Sequence, residues 1–454
     1  MFRRIAIIGG GAAAAAMLSE LIEYQPAKPL HLDWYTGGAS SVRGVAYSTR
    51  AEEHLLNVRV ASMGMFGGRS RGFLDFLQRD DPSVAGTDFL PRHRFGDYLD
   101  AEVKRVLALG KAQGHDVKVI PFEVDSVVPE RGAVTVIHGE ESREVDAAVL
   151  AIGSMAPRPL HGVSPEALAS RRYVIDPWHL LAHAAGHHSA PKKVLLIGAG
   201  LTAVDVLLSL SRQWPQAQFS TVSRHGQLPE AHLRVAAIPS SDGTDLIEAM
   251  QDIPDIRVWM QLLREAIAQG GEWRSIVDGL RPYTPMLWAE LPPEQRSRFM
   301  RHVRWAWDRA RHRMPPESNE AMAVLVKEGR LERHCGRLQS VQMIDDRLQV
   351  STRHAGKLRV EMADLVIQAN GMNTNVLDTG HRLINQLLTN AHVMPDPLRL
   401  GLCGSVDGHL QHHGSYWPHF FALGSLLRGT LWESTAIPEI RLQARNISRQ
   451  LLID

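Results

Sequence analysis

Two glycine-rich turns, each behind a short apolar run, constrain this 454-residue chain more than anything else in it. The first, Gly9-Gly10-Gly11-Ala12-Ala13-Ala14, follows Ile5-Ala6-Ile7-Ile8. The second, Gly198-Ala199-Gly200-Leu201-Thr202-Ala203, follows Val194-Leu195-Leu196-Ile197. Each reads as a buried strand, a tight turn and the start of a helix. In such a turn the first glycine permits the bend and the second lets the backbone approach a pyrophosphate. The third residue must be small so that helix and strand pack closely; Ala14 and Ala203 fill that place. The helix start then offers unbonded N–H groups and a partial positive charge to phosphates. One match of this kind is weak, because a small-residue helix packed on a sheet looks alike. Two matches in strand–turn–helix context imply two dinucleotide sites. The simplest use of two such sites is electron transfer from a nicotinamide to a flavin.

The length calls for more than one domain. A formal net charge of +1 gives no sign of a nucleic-acid or membrane-surface partner. No apolar run approaches the roughly 18 residues of a membrane span. Met1-Phe2-Arg3-Arg4 and the residues after it resemble a secretory signal, but three consecutive glycines break its apolar helix. The cytoplasm is the expected compartment. Cys335 and Cys403 are far apart and form no C-x-x-C, which argues against a disulfide framework and a dithiol reductase. No metal site is expected. His179, His183 and His187 share a helical spacing without a converging acid. His409, His412, His413 and His419, beside Asp407, are expected on a loop near the coenzyme cleft, with one of them touching substrate.

The expected fold is α/β, with two Rossmann-like dinucleotide-binding domains, the second inserted into the first, and a helical insertion. Residues 1–157 and 331–454 form the first domain, 158–242 the second, and 243–330 the Trp- and Arg-rich insertion, a candidate lid over substrate. Two runs echo each other: Val145-Asp146-Ala147-Ala148-Val149-Leu150-Ala151-Ile152-Gly153 and Ala363-Asp364-Leu365-Val366-Ile367-Gln368-Ala369-Asn370-Gly371. Each closes one nucleotide-binding unit. Helices are expected over 97–109 and from Ile437 to Leu452. Leu30 to Thr36 reads as the second strand of the first unit. An acid usually ends that strand and binds the adenosine ribose. Thr36 stands there instead, so Thr36 or Ser40 is the expected, weaker contact. At the corresponding place of the second unit stand Ser223 and Arg224. A hydroxyl and a guanidinium suit a 2′-phosphate, which an acid would repel, so NADPH is expected over NADH. Gly198, Gly200, Thr202 and Ala203 would hold its pyrophosphate. Arg298, Arg301, Arg304, Arg309, Arg311 and Arg313 crowd one helical segment; Arg301 and Arg304, a turn apart, are placed to bind a substrate carboxylate bidentately.

Several further runs carry a resemblance. They are Gly44-Val45-Ala46-Tyr47-Ser48-Thr49, His54-Leu55-Leu56-Asn57-Val58, Thr202-Ala203-Val204-Asp205, Ser223-Arg224-His225-Gly226 with Leu228-Pro229, and Arg428 through Arg441. With them the chain resembles the bacterial FAD/NAD(P)-binding proteins of the flavin-monooxygenase-like superfamily, over nearly its whole length. The resemblance implies FAD on the first unit and NAD(P)H on the second. It carries Gly9, Gly11 and Ala14 onto the FAD pyrophosphate, and Arg43, Gly44 and Ala46 along the cofactor. Asn57 falls near the flavin, as the one catalytic candidate. Val124 falls at the adenine; Gly153, Gly424, Thr435, Ala436 and Ile437 fall along the rest. The last helix would then aim its N–H groups at the flavin pyrimidine, where charge gathers on reduction.

The implied activity is an FAD-dependent, NADPH-reduced monooxygenase. Hydride would reach flavin N5, molecular oxygen would add at C4a, and the C4a-hydroperoxyflavin would hydroxylate a small substrate, anionic or amino-acid-like. The F-x-G-x-x-x-H signature of Baeyer–Villiger enzymes is lacking. A flavin-dependent NAD(P)H dehydrogenase and a flavin-bound, non-catalytic binding protein therefore stand as alternatives.

Overall fold

The computed structural model describes residues 4–24, 26, 28–39, 41–183, 190–235 and 243–452. Its first unit is a six-stranded sheet in the order His409–His412, Ser415–Ala422, Ala147–Leu150, Arg4–Ile8, His31–Tyr35, Asp116–Ile120. All neighbours are parallel except the outermost hairpin of the first two. The strand Arg4–Ile8 is central because Ile5 to Ile8 are apolar on both faces, as a parallel strand covered on both sides must be. The second unit is a five-stranded parallel sheet in the order Leu331–Cys335, Gln218–Ser223, Lys193–Ile197, Leu365–Gln368, Tyr173–Val174.

The two units repeat one plan. In each, the glycine turn leaves the central strand and enters a helix, Ala12–Glu23 in one and Leu201–Gln213 in the other. In each, a three-stranded antiparallel sheet precedes the closing strand. Ser126–Pro129, Val134–His138 and Glu141–Val145 pack Val127, Val134 and Val136 under the first sheet. Arg337–Ile344, Arg347–His354 and Lys357–Ala363 pack Val341, Leu348 and Val350 under the second. The closing strand then lies beside the central one, Ile5 opposite Ala147 and Val194 opposite Leu365. The expected echo of 145–153 and 363–371 is this pair of closing strands. The chain leaves the first unit past Met155 and returns past Asn373, and an antiparallel bridge joins those two points.

Two expected boundaries need correction. Residues 331–368 do not return to the first unit: Leu331–Cys335 and Leu365–Gln368 are strands of the second sheet, and the antiparallel strands between them pack on it. The helix Pro316–Lys327 is not part of the insertion either, since Met322 and Leu325 join the core of the helix Leu201–Gln213. The insertion proper is a run of short helices around Ile256, Trp259, Leu280, Leu287, Trp288 and Phe299. Pro293 at one helix start and Asp255, whose carboxylate accepts from the Arg257 N–H, set the breaks between them. That apolar core also takes in Leu400 and Trp432, so the lobe seats on the first unit's returning chain.

The helix expected over 97–109 runs from Arg92 to Ala112, and the last helix is Ile437–Leu452. Among the described residues no helix is long and apolar enough to cross a membrane.

Candidate functional site

Both glycine turns are built the same way. Gly9 has φ +139°, and a Cβ there would lie 2.2 Å from the Ala151 carbonyl oxygen of the closing strand. Gly198 has φ +127°, and its Cβ would lie 2.3 Å from the Ala369 oxygen. Only glycine satisfies both the positive φ and the backbone approach. A Cβ on Gly10 would meet the Thr36 oxygen at 2.2 Å. By contrast, Gly11 and Gly200 face open space. Each is the extended N-cap of its helix, with no side-chain cap and no acid in the first turn. The helix N–H groups ahead of Ala15 and Val204, which bond back to Gly11 and Gly200, are left for an outside acceptor. The buried Ala14 and Ala203 allow the close helix packing. The geometry of both turns thus fits a pyrophosphate.

Three segments converge on the first cradle. The short helix Gly44–Tyr47 starts beside Gly11, with a Cβ on Gly44 falling 3.8 Å from the Gly11 Cα. Gly424, at φ +78°, would place its Cβ 3.9 Å from that of Ala13. The helix Ile437–Leu452 packs Ile437, Ile440 and Ala444 into the same core as Ala13 to Leu21. Ala46 is exposed beside Gly44, Gly153 faces open space at φ +75°, and Val124 is buried beneath the sheet's edge. Thr36 directly follows the second strand, and its N–H donates to the Ile120 carbonyl. Asp33 lies inside that strand, 3.8 Å from Arg143, and points away from any ribose role. Ser40, the other ribose candidate, lies outside the described residues.

Arg43 precedes the short helix Gly44–Tyr47, and its buried guanidinium is bound to Asp97 and Asp100 of the helix Arg92–Ala112. These contacts hold Gly44–Tyr47 against the cradle. Asn57 is half-buried, and its carbonyl accepts from His232 Nε2 at 3.1 Å. Burial first, then the Arg313 charge, pushes the His232 imidazole down to about 4. The unfolded imidazole protonates near pH 6.5, so between those values the unfolded chain holds the extra proton. This contribution to stability is therefore full above pH 6.5 and is lost as the pH falls toward 4. We expect His232→Gln to flatten the fall in urea midpoint between about pH 7 and about pH 4.5.

The second cradle opens into a cleft of about 660 Å³. Gly198, Gly200 and Thr202 line it, and so does Thr435, from the segment entering the last helix. Arg224 lines it too, exposed, at the carboxyl end of Gln218–Ser223. The Ser223 oxygen accepts from the Gly226 N–H at 3.0 Å, which leaves its hydroxyl proton free. Sequence reasoning missed Arg337. It reaches the same edge because Ser223 pairs with Cys335, 112 residues later, so Arg224 and Arg337 leave adjacent strands together. His225 and Trp305 stack at 4.0 Å and 18° along the cleft wall.

The expected Arg301–Arg304 clamp is not formed. The chain breaks at Val303, which ends the helix Pro293–His302 and precedes the helix Arg304–Arg311. Arg301 is exposed outside the cleft; Arg304 lines it and contacts Asp308 at 3.3 Å. The histidines 409–419 are also misplaced by sequence. They lie on the edge hairpin of the first sheet, His409 bonded to the Trp417 carbonyl and Gln450, His412 stacked on Trp417, and His419 on the Ala133 carbonyl. None of them lines the cleft. His187 lies outside the described residues, as does the side chain of His183. Among the described residues no three His, Cys, Asp or Glu are grouped to hold a metal.

This geometry defines a protein with two dinucleotide-binding units and a shared cleft. Residues 6–155 match a protein-family model described as FAD-NAD(P)-binding. Solved structures with the same fold include L-lysine 6-monooxygenase from Pseudomonas syringae, 17% identical, with a TM-score of 0.68 and 100% of both chains covered. The ornithine N-hydroxylase of Kutzneria sp. 744 is 14% identical, with a TM-score of 0.66 and 99% of each chain covered. The ornithine hydroxylase of Pseudomonas aeruginosa is 18% identical, with a TM-score of 0.61, covering 100% of this chain and 99% of its own. No curated protein matches the chain significantly in sequence.

Proposed function

We propose that this chain is an FAD-dependent, NADPH-reduced monooxygenase that hydroxylates a small amine, acting in the cytoplasm where NADPH is supplied. The observation that carries the reading is one cleft lined by both the second cradle and Thr435, which enters the helix that packs on the first cradle. A coenzyme on Gly198–Thr202 extends along it toward whatever the first cradle holds. The full-length likeness to proteins named as lysine and ornithine hydroxylases supports an amine as the group oxidised.

When bound, FAD supplies the redox chemistry, taking hydride from the nicotinamide and passing electrons to oxygen. The protein's residues bind, orient and exclude water. Gly9, Gly11 and Ala14 bring helix N–H groups to the FAD pyrophosphate, and Gly198, Gly200 and Ala203 do the same for NADPH. Thr36 bonds the adenosine ribose, Val124 borders the adenine, and Gly44, Ala46, Gly153 and Gly424 leave room for the cofactor's length. Asn57, Thr435, Ala436 and Ile437 border the flavin. Arg43 positions the Gly44 segment. Arg224 and Arg337, with Ser223, bind the 2′-phosphate. The Trp-rich lobe faces the cleft with Arg304, Trp305, Asp308, Arg309 and His312, a largely charged wall.

The test is anaerobic mixing of the FAD-loaded protein with NADPH, followed by oxygen and a panel of alkylamines and amino acids. We expect the flavin to bleach with NADPH and a hydroxylated amine to accumulate in step with NADPH consumed. Bleaching without product from any amine would assign the chain as a reductase. A flavin that NADPH does not bleach would assign it as a binding protein. For the coenzyme, charge-assisted contacts of about 1.5–3 kcal/mol place the KM rise for Arg224→Ala at about 10-fold or more with NADPH. KM for NADH should hardly move, and Arg337→Ala should act in the same direction.

A further inference from the structure

Past the coenzyme residues, the inner end of the cleft is walled by Trp432, whose backbone is unusual. Its φ is +59° and ψ −63°, and the Glu433 N–H bonds back to the Leu431 carbonyl at 2.7 Å. This is the γ-turn with positive φ, a strained form that a non-glycine residue adopts only when its surroundings enforce it. The surroundings are clear. Trp288 stacks on the indole at 4.9 Å, Phe299 meets it edge-on at 5.0 Å, and Trp288 Nε1 donates to the Gly429 carbonyl at 2.8 Å. The indole is a fixed plate, only 4% exposed.

Two guanidinium groups attend that plate. Arg428 lies 5.0 Å from the ring centre and Arg304 5.9 Å. Both residues line the cleft. Arg304 has Asp308 as a counter-charge. Arg428 has neither an ion-pair partner nor a side-chain hydrogen bond among the described residues. The other acid nearby, Glu433, is already engaged by Trp307 Nε1 at 3.1 Å and Arg311 at 3.6 Å. Burial, and then the like charge of Arg304, work against Arg428's own charge, and the Asp308 and Glu433 carboxylates, each already engaged by another cation, offset only part of it. A half-buried cation with a cationic neighbour is poorly satisfied unless an anion joins it, since buried charges in folded proteins are paired. Contact with a tryptophan ring offsets only part of that cost.

We propose that Arg428 and Arg304, standing on the Trp432 plate, form a carboxylate-binding site that selects an anionic amine as substrate. The site rests on the oxygenase reading for the word substrate, but the anion site itself stands on the two guanidinium groups. It replaces the Arg301–Arg304 pair expected from sequence. A guanidinium fork binds a carboxylate through parallel N–H bonds. Anchoring the acid at Trp432 leaves the rest of a short substrate free to reach toward Thr435, which lines the same cleft. The same cations would also attract a coenzyme phosphate, and the test separates the two.

The test is calorimetry on the FAD-loaded protein with ω-amino carboxylates of three to six carbons, each against the alkylamine lacking the carboxylate. At least one acid should bind about tenfold or more tightly than its amine partner, the size expected for hydrogen bonds between ions. Arg428→Met should erase that preference, Arg304→Gln should reduce it, and Arg428→Lys should keep part of it. Circular dichroism of each variant identifies any that fails to fold, and Arg304→Gln and Arg428→Lys then carry the comparison. If no acid outbinds its amine partner, or if the preference survives in every folded variant, the proposal is wrong. If the variants lose affinity for NADP+ and retain the acid preference, the guanidinium groups serve the coenzyme and the proposal is equally overturned. A protein that discriminates acids as stated but oxidises no amine would sink the oxygenase reading and leave the anion site standing.

Discussion

Gly198→Ala should yield a folded, yellow protein whose flavin NADPH hardly reduces. The substitution puts a methyl 2.3 Å from the Ala369 carbonyl oxygen and 2.5 Å from its carbon, at φ +127°. Both contacts are with backbone of the adjoining strand, which cannot rotate aside. The turn must move instead, and with it the N–H groups that face the coenzyme pyrophosphate. Overpacking of this kind costs about 1–3 kcal/mol, and a misplacement near 1 Å costs about 100-fold in a positioned reaction. We therefore expect the rate of anaerobic bleaching at fixed NADPH to fall by about 100-fold, with FAD content retained. Gly9→Ala is the mirror experiment. Its methyl would sit 2.2 Å from the Ala151 oxygen, and the prediction is loss of FAD itself, read as the flavin-to-protein absorbance ratio after purification. If Gly198→Ala released FAD while Gly9→Ala kept it, the assignment of cradles to cofactors would be reversed.

That pair of glycines also shows how much a sequence of this kind discloses. The turns were legible because their chemistry is local: glycine where φ is positive, small residues where helix meets strand, an apolar run before each. The closing strands were legible for a similar reason, since Ala147–Leu150 and Leu365–Gln368 are short, buried on both faces and followed by a glycine at positive φ. What no local signal states is which sheet a strand joins. Leu331–Cys335 pairs with Gln218–Ser223 across the whole helical lobe, and its own residues are as compatible with one sheet edge as with the other. The boundary set at 331 failed on that point.

The candidate site divides the same way. Arg224 was visible because it follows its strand directly; Arg337 was not, because only the strand pairing brings it alongside. Arg43 was conspicuous beside a run that resembles cofactor-binding proteins, but its pairing with Asp97 and Asp100 could not be read locally. The spacing of Arg301 and Arg304 suggested one helical face, but a helix break at Val303 separates them. Arg428 opened a run that carries the resemblance, but nothing in the run marked its guanidinium for a ligand. Its significance lies in a missing counter-ion, and that is a property of three-dimensional surroundings.

The second large effect concerns what holds the two units at a fixed distance. Asp205, on the helix behind the second cradle, faces Arg92 at 2.8 Å, with side chains 8% and 14% exposed. The contact is one of charges, not an aligned hydrogen bond, since the carboxylate oxygen concerned has no donor aimed at it. Around it, the Arg92 N–H bonds to the His54 carbonyl and its Nε to the Leu55 carbonyl. The His54 ring spans Thr49 Oγ1 at 2.7 Å and Ser209 Oγ at 2.9 Å, and Glu53 takes Ser209 and Arg212. The run His54-Leu55 thus docks on the helix that carries the second turn. Burial raises the Asp205 carboxyl and Arg92 offsets only part of that rise, so the carboxylate depends on Arg92 for its place in the interior. Removing one leaves the other uncompensated. Asp205→Ala is expected to cost about 3–5 kcal/mol, whereas replacing both partners by apolar residues of similar size should be near neutral. Arg92→Met with Asp205→Leu should therefore recover most of the urea midpoint lost by Asp205→Ala alone. Should the double variant be as unstable as the sum of its singles, the pair would not be coupled. Hydride transfer adds a second readout. The apolar pair restores packing and keeps the backbone bond to the His54 carbonyl but not the side-chain bond to the Leu55 carbonyl, so NADPH-driven bleaching should stay slow in a protein that is otherwise stable.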